Sequence, residues 1–163
     1  MTTEHTLVAG IGNIFLGDDG LGCEVVRRLS RADLPAGVRV VDYGIRGLHL
    51  AYDLLDGCDR LVLVDALPDR GAPGHLEVLE IRPQDLERGV LDAHGMDPAA
   101  VLALLEPLGG RLPPTTLVGV QVGDVSERMG LSPVVAQAVP EAVEALRTLL
   151  AQSLPAARTQ EVG

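Results

Sequence analysis

Three carboxylates and one histidine stand where the sequence predicts that buried strands end, and together they could bind a metal ion. Asp19 follows the apolar run "TLVAGI" through a glycine-rich loop, Asp42 lies at the end of "GVRVVDYG", and Asp65 follows "LVLV". His94 lies in the loop "DAHGMD". Two carboxylates and an imidazole form an O,O,N donor set that suits a divalent transition metal. Three protein ligands would leave coordination positions open for substrate or water.

Each of these residues also has an ordinary structural interpretation. Asp18 or Asp19 would cap the helix that follows, as aspartate often does at that position. Asp42 and Asp65 would end their strands by accepting hydrogen bonds from loop amides. His94 would simply be solvated in a loop rich in Gly and Asp. Singly, the structural interpretations are favoured; it is their shared position at strand ends that points to a site.

Other hydrolytic chemistries find little support in the sequence. There is no HExxH zinc-protease helix and no GxSxG nucleophile elbow. His5, His49 and His75 fall on predicted strands or helices, away from the strand ends. Cys23 lies inside a helix with no histidine near it in sequence, which disfavours a cysteine protease. We expect Cys23 and Cys58 to be buried, reduced thiols.

The elements that must position these residues follow from hydrophobic periodicity. Short apolar runs alternate with helical stripes, which predicts a mostly parallel sheet with helices on both faces. The predicted strands are "TLVAGI", "GVRVVDYG", "DRLVLVDAL", "GHLEVLEIR" and "TTLVGVQVGD". The third is the most apolar and suits the middle of the sheet, whereas the fourth alternates and suits an edge. Ligands of such sheets bind outside the carboxyl ends of the strands.

Proline and glycine mark the predicted helices. The segment "MDPAAVLALLEPLGG" predicts a helix capped by Asp97 that runs to the paired glycines. A second helix begins at Ser132 and is kinked at Pro140. Its inward residues are expected to be Val135, Val139, Val143 and Leu146. We predict one domain over residues 1–150 and a disordered tail over 151–163.

Composition narrows the classes of partner. The 163 residues are 47% hydrophobic and carry a formal net charge of −10. Such a charge disfavours nucleic acid and anionic membrane surfaces as partners. There is no signal-peptide pattern and no apolar run long enough to cross a bilayer, so we expect a cytoplasmic protein.

The opening loop is only partly like a dinucleotide-binding loop. Gly10 and Gly12 match the first two glycines of that fingerprint, but Phe15 stands where the third belongs. Asp18 and Asp19 would repel anions from the start of the helix. A nucleotide- or flavin-binding enzyme is therefore disfavoured, no nucleotide cofactor is expected, and a cation site is favoured.

At these residues the chain resembles the hydrogenase maturation proteases, endopeptidases that process the large subunit of nickel–iron hydrogenases. The segment "GIGNIFLGDDGLG" is similar to the family's opening signature, with Gly10, Gly12 and Asn13 at its start. "LVLVDA" is similar to the central strand of the family. "LVGVQVGDVSERMGLSPVVAQAVPEAVEAL" is similar to its closing block, in which a GxQ strand leads to "LSP" and the last helix.

The resemblance implies a three-layer α/β/α fold with a twisted, mostly parallel five-stranded sheet. It implies removal of a C-terminal extension from the precursor large subunit once nickel has been inserted. The precursor is thus the expected partner, and nickel is supplied by that substrate. The family's metal-binding residues fall on Asp19, Asp65 and His94, which are also the candidate catalytic residues.

One loop departs from the family pattern. Many members have a loop like D-G-G-T-x-G after the second strand, where this chain has "DYGIRG". Asp42, Gly44, Arg46 and Gly47 of this loop are therefore expected to influence contacts with the substrate. We interpret the change as a difference between subgroups.

Several mechanisms agree with these residues. Nickel on the precursor would act as a positioning template, polarise the scissile carbonyl or bind the attacking water. A carboxylate released from the metal would instead serve as general base. A precursor without nickel would offer no cation to the two carboxylates, so it would bind poorly. The alternative from another class is a chaperone that binds nickel or the precursor without cleavage.

Overall fold

All five predicted strands form. The computed structural model describes residues 4–87 and 98–152. The elements are β1 (Thr6–Ile11), α1 (Leu21–Leu29), β2 (Val38–Gly44), α2 (Gly47–Leu55), β3 (Arg60–Leu67), β4 (Leu76–Ile81), α3 (Pro98–Ala103), β5 (Thr115–Gln121), α4 (Pro133–Ala136) and α5 (Val139–Ala151). Short 3₁₀ turns cover Gly17–Gly20 and Pro83–Glu87.

The strands form one sheet in the order β2-β1-β3-β5-β4. The first four in this order are parallel, and β4 pairs antiparallel with β5 at the edge. Every residue of β3 is buried, as expected of a central parallel strand. In β4, by contrast, partly buried and exposed positions alternate along most of the strand, and Val78 is 52% exposed. The predictions of a mostly parallel sheet, a central third strand and an edge fourth strand are confirmed.

Helices cover both faces of the sheet, which confirms the three-layer arrangement. On one face, side chains of α2 and α3 pack against the leucines of β3, such as Leu61 and Leu63. On the other face, α1, α4 and α5 pack against valines of the same strand, such as Val62 and Val64. Because side chains alternate along a strand, the run "LVLV" supplies both cores at once.

Helices α4 and α5 are separate where a single kinked helix was predicted. Pro140 lacks an amide hydrogen, and its ring would collide with the carbonyl four residues earlier, which belongs to Ala136. Helix α4 ends at Ala136, and Pro140 lies in the first turn of α5. Of the four predicted inward residues, Val143 is only partly buried, whereas Val135, Val139 and Leu146 are buried.

The same steric rule explains why α3 is shorter than predicted. Pro107 would collide with the carbonyl of Ala103, and Ala103 is the last residue of α3. Hydrogen bonds of the i→i−3 type then continue the chain as turns, with Leu104 donating to Val101 and Leu105 to Leu102. The predicted helix from residue 98 to the paired glycines is therefore wrong in its length.

Some predictions concern residues beyond the described ranges. The proposed cap Asp97 and most of the predicted tail lie outside them, so the division into residues 1–150 and 151–163 stays a prediction. Helix α5 extends to Ala151. Among the described residues, no helix has the length and apolar character needed to cross a bilayer.

The register of the sheet brings two candidate residues close to the end of β1. Gly10 pairs with Asp42 of β2 on one side and with Val64 of β3 on the other. Asp65 is the next residue of β3, so Asp42 and Asp65 flank β1 at a separation of two strand spacings, about 10 Å. By alternation Asp65 shares the face of Leu63 and Asp42 shares the other face.

Candidate active site

The loop between β1 and α1 places Asp19 over the end of the sheet. Asp19 is 3% exposed and lies in the 3₁₀ turn that precedes α1. Its Oδ2 accepts a hydrogen bond of 2.9 Å from the amide of Asn13, and the Asn13 side chain in turn accepts one from the amide of Phe15. The opening motif therefore orients the Asp19 carboxylate through the loop itself.

Two glycines of this region are required by close backbone approach. A Cβ on Gly12, whose φ is +141°, would lie 2.0 Å from the carbonyl oxygen of Asp19. A Cβ on Gly22 would lie 2.3 Å from the carbonyl oxygen of Val64. Gly10 similarly accommodates Val26 of α1. These contacts let α1 start directly against the strand ends, which keeps Asp19 close to the sheet.

Asp65 lies at the buried end of β3 and is 3% exposed. Its Oδ1 accepts a hydrogen bond of 2.8 Å from the amide of Ala66. The structural interpretation, in which Asp65 ends its strand by binding a loop amide, is wrong, because Ala66 belongs to β3 and the strand continues to Leu67. The bond orients the carboxylate near the carboxyl edge of the sheet.

The segment "DYGIRG" forms the turn between β2 and α2. Asp42 is exposed, and its Oδ1 accepts a hydrogen bond of 3.0 Å from the amide of Gly44, whose φ is +58°. Arg46 is also exposed, and its guanidinium donates to the backbone carbonyls of Asp42 and Tyr43. Gly47 is buried and begins α2. The loop is therefore folded back on its own strand.

The Cys23 thiol is buried near the end of the sheet, and three of the candidate carboxylates influence it. Cys23 is 4% exposed, and its Sγ lies 3.7 Å from the carbonyl oxygen of Gly12, within hydrogen-bonding range for sulfur. Burial raises the pKa of this thiol most, followed by a hydrogen bond to Asp42 and by the charges of Asp42, Asp19 and Asp65. All three acids therefore oppose ionisation of this thiol. These are the same three acids that the sequence places at the ends of predicted strands.

The raised pKa keeps Cys23 protonated at neutral pH, so it is not a nucleophile there. We expect native Cys58→Ser protein, which retains Cys23, to react with iodoacetamide at pH 8.5 at least about 100-fold more slowly than the same protein in urea. Because only the unfolded thiol ionises as pH rises past its ordinary value, this group also lowers the stability of the fold at alkaline pH.

Alkylation followed by intact mass measures this rate directly. Native labelling of Cys23 at a rate near that in urea would contradict the buried, protonated thiol. The Cys23→Ser protein is the matched control and reports on Cys58. Cys58 is only partly buried, contrary to prediction, although both thiols are free.

The third predicted ligand, His94, lies outside the described residues. Within residues 4–87 and 98–152, no three His, Cys, Asp or Glu side chains form a group that could hold a metal ion. Asp19 and Asp65 are thus the two described members of the predicted set. Metal binding by these residues and His94 stays a prediction.

Asp18 has a role that the sequence interpretation missed. The expectation that Asp18 or Asp19 caps α1 is wrong, because no side chain makes a capping hydrogen bond at its start. Asp18 is fully buried and instead accepts bonds from the amides of Gly123 and Asp124 at 2.8 Å. It also accepts from the amide and hydroxyl of Ser132, at 2.6 and 2.7 Å. Asp18 therefore connects the first loop to the segment that follows β5.

Gln121 likewise explains the GxQ part of the closing block. It is 5% exposed, and its Oε1 accepts hydrogen bonds from the amides of Arg70 and Ala72. Its Nε2 donates to Glu77 at 2.9 Å. The side chain holds the connection between β3 and β4 beside the sheet. A buried glutamine in an otherwise apolar strand was the signal in the sequence for such a role.

Comparison with known proteins places this architecture in one family. The family model described as hydrogenase maturation protease matches residues 23–148. The hydrogenase 2 maturation protease of Escherichia coli is 32% identical over 150 residues, which span 90% of this chain and 91% of that protein.

Solved structures agree with this match. The hydrogenase maturating endopeptidase HybD from Escherichia coli superposes with a TM-score of 0.78 at 30% identity, covering 90% of this chain and 92% of that one. The [NiFe] hydrogenase maturation protease HybD from Thermococcus kodakarensis gives a TM-score of 0.71 at 26% identity, covering 90% and 99%. The chain therefore belongs to the hydrogenase maturation protease family, and it is a peptidase.

Proposed function

We propose that this peptidase removes the C-terminal extension from the nickel-loaded precursor of the large subunit of a nickel–iron hydrogenase. We further propose that nickel bound to the precursor is the element it recognises and that the reaction takes place in the cytoplasm. The names of its relatives support the class of substrate. The single observation that carries the nickel proposal is that Asp19 and Asp65 are both buried carboxylates at the carboxyl ends of neighbouring parallel strands.

The donor set supports recognition of a metal that arrives with the substrate. Asp19 and Asp65 are buried carboxylates at one edge of the sheet, and in this proposal His94 supplies the nitrogen donor. Carboxylate and imidazole together suit a divalent ion of intermediate softness. Further donors come from the precursor, since nickel is its cargo and not a resident cofactor of the peptidase.

The surface beside these acids suits an extended peptide. Two cavities of about 450 and 410 Å³ adjoin the first loop, and both are lined by Ile14, Cys23 and Asp42. Phe15 and Met129 at their rims are 63% and 62% exposed. Apolar side chains on the surface next to a charged centre are typical of a site that binds a protein segment. The precursor segment around the scissile bond is the proposed occupant.

Electrostatic interaction is the proposed basis for selecting the nickel-loaded precursor over the precursor without nickel. Nearby like charges repel each other, and an opposite charge placed between them relieves that repulsion. Nickel on the precursor would stabilise Asp19 and Asp65 together, whereas a precursor without nickel would not. The metal would position the scissile bond, and it would also polarise the carbonyl, bind the attacking water or release a carboxylate as base.

The test is the intact mass of the cognate precursor after incubation with the peptidase. We expect loss of a C-terminal peptide from the nickel-loaded precursor and no loss from the same precursor prepared without nickel. Equal cleavage of both forms would overturn recognition of nickel. A stable complex without any change in mass would overturn the proposed reaction and favour a chaperone.

A further inference from the structure

We infer that Arg46 is a specificity-determining residue that binds a carboxylate of the precursor. The inference rests on the proposed function. It begins from the position of Arg46 in the wall of the 410 Å³ cavity, together with Asp42, Cys23 and Phe15. The cavity therefore extends from Cys23 and Asp42 to this exposed cation.

The guanidinium of Arg46 is held in place but is not neutralised. Its Nη2 donates to the carbonyl of Asp42 at 2.9 Å, and its Nε donates to the carbonyl of Tyr43 at 3.2 Å. No carboxylate of the described residues forms a salt bridge with it. An arginine has five N–H donors, so three remain to bind a ligand. Because the planar group is already oriented, binding loses less side-chain entropy.

The other arginines that line the two cavities are already paired. Arg27 and Arg28 line the 450 Å³ cavity, and both form salt bridges with Glu24 on the same helix. Arg46 is thus the unpaired cation among the described residues that line these cavities. The chain carries a net charge of −10, so most of its surface repels anions. An unpaired arginine next to Asp42 is therefore a local site that attracts an anionic group of the substrate.

The start of α2 adds to the positive potential at the same wall. Helix α2 begins at Gly47, directly after Arg46, and has nine residues. Its first turn contains no acidic residue, and no side chain caps its N-terminus. The positive end of the helix dipole therefore remains available to an anion beside Arg46.

The 410 Å³ cavity is therefore lined by groups of opposite charge. The carboxylate of Asp42 accepts a hydrogen bond from the amide of Gly44, whereas the guanidinium of Arg46 binds only backbone carbonyls. A substrate segment that carries a cation and, a short distance away, a carboxylate would match both groups. The carboxylate is either an acidic side chain near the scissile bond or the C-terminal carboxylate of the precursor.

The test is a coupling experiment on nickel-loaded precursor. Arg46→Ala is expected to raise KM about tenfold with kcat changed much less, because an oriented charge-assisted contact is lost. Arg46→Lys should recover part of this loss, since lysine keeps the positive charge but lacks the planar guanidinium with its paired N–H donors. Arg147→Ala is the matched control, because Arg147 is an exposed arginine on α5 that pairs with Glu144.

Changing the precursor identifies the carboxylate. Each acidic side chain near the scissile bond is replaced by its amide, and in a separate arm the C-terminal carboxylate is amidated. The change that removes the partner should raise KM with the wild-type peptidase and add nothing with Arg46→Ala. Additive effects for every change, or an unchanged KM for Arg46→Ala, would overturn the inference. Failure of the wild-type peptidase to cleave any nickel-loaded precursor would instead refute the proposed function.

Discussion

Replacing Asp19 by asparagine is expected to abolish processing of the nickel-loaded precursor, with kcat/KM lowered by at least about 100-fold, or about 2.7 kcal/mol. Asparagine is almost isosteric with aspartate but carries no charge, so the attraction to nickel is lost. Its side-chain oxygen can still accept the hydrogen bond from the amide of Asn13. We therefore expect the fold to be retained.

Intact mass of the precursor and thermal unfolding of the peptidase together test this prediction. The matched control is Asp33→Asn, which makes the same chemical change at an exposed position away from the strand ends. Normal processing by Asp19→Asn would show that this carboxylate does not take part in the reaction. A melting temperature far below that of the control would show that Asp19 acts through stability instead.

Asp18→Asn, unlike Asp19→Asn, is expected to cause a large loss of stability. Asp18 accepts four hydrogen bonds from donors of Gly123, Asp124 and Ser132. The side-chain NH₂ group of asparagine cannot accept a hydrogen bond, so at least one of these donors would lose its acceptor. Leaving buried donors unsatisfied at a charge-assisted site costs about 3 kcal/mol. For a chain of this length, that lowers the melting temperature by roughly 6–12 °C.

The loss should extend to processing, because Asp18 anchors the segment that carries Met129 and Leu131, which line the larger cavity. Thermal or urea unfolding measures the first effect, and precursor cleavage at low temperature measures the second. Ser132→Ala removes only the hydroxyl bond and should cost about 1 kcal/mol. An Asp18→Asn protein as stable as wild type would contradict the anchoring role.

The pair Asp18–Asp19 shows how far local sequence rules extend. Their position before a helix suggested a cap, and the resemblance to the family selected Asp19 as a ligand. No local rule predicts that Asp18 accepts hydrogen bonds from residues 123–132, because those partners lie more than a hundred positions along the chain. Only the packing of the two loops over the same strand ends brings them together.

The two prolines show the opposite case, in which a local sequence rule is enough to predict that a helix is interrupted. Pro107 and Pro140 lie four residues after Ala103 and Ala136, where α3 and α4 end. The steric conflict between a proline ring and the carbonyl four residues earlier is entirely local. Applied to both prolines, this rule predicts, without any tertiary information, that neither helix continues unbroken through its proline.

The sequence by itself determined the order of the elements, the sheet of parallel strands and the grouping of acids at strand ends. Each of these follows from local periodicity and from the common direction of parallel strands. Only the tertiary structure decided that Asp18 is a buried anchor, that burial raises the pKa of the Cys23 thiol, and that Arg46 stays unpaired in a cavity wall it shares with Asp42. These properties depend on which distant groups surround a side chain, since burial and electrostatic interaction are fixed by proximity in space.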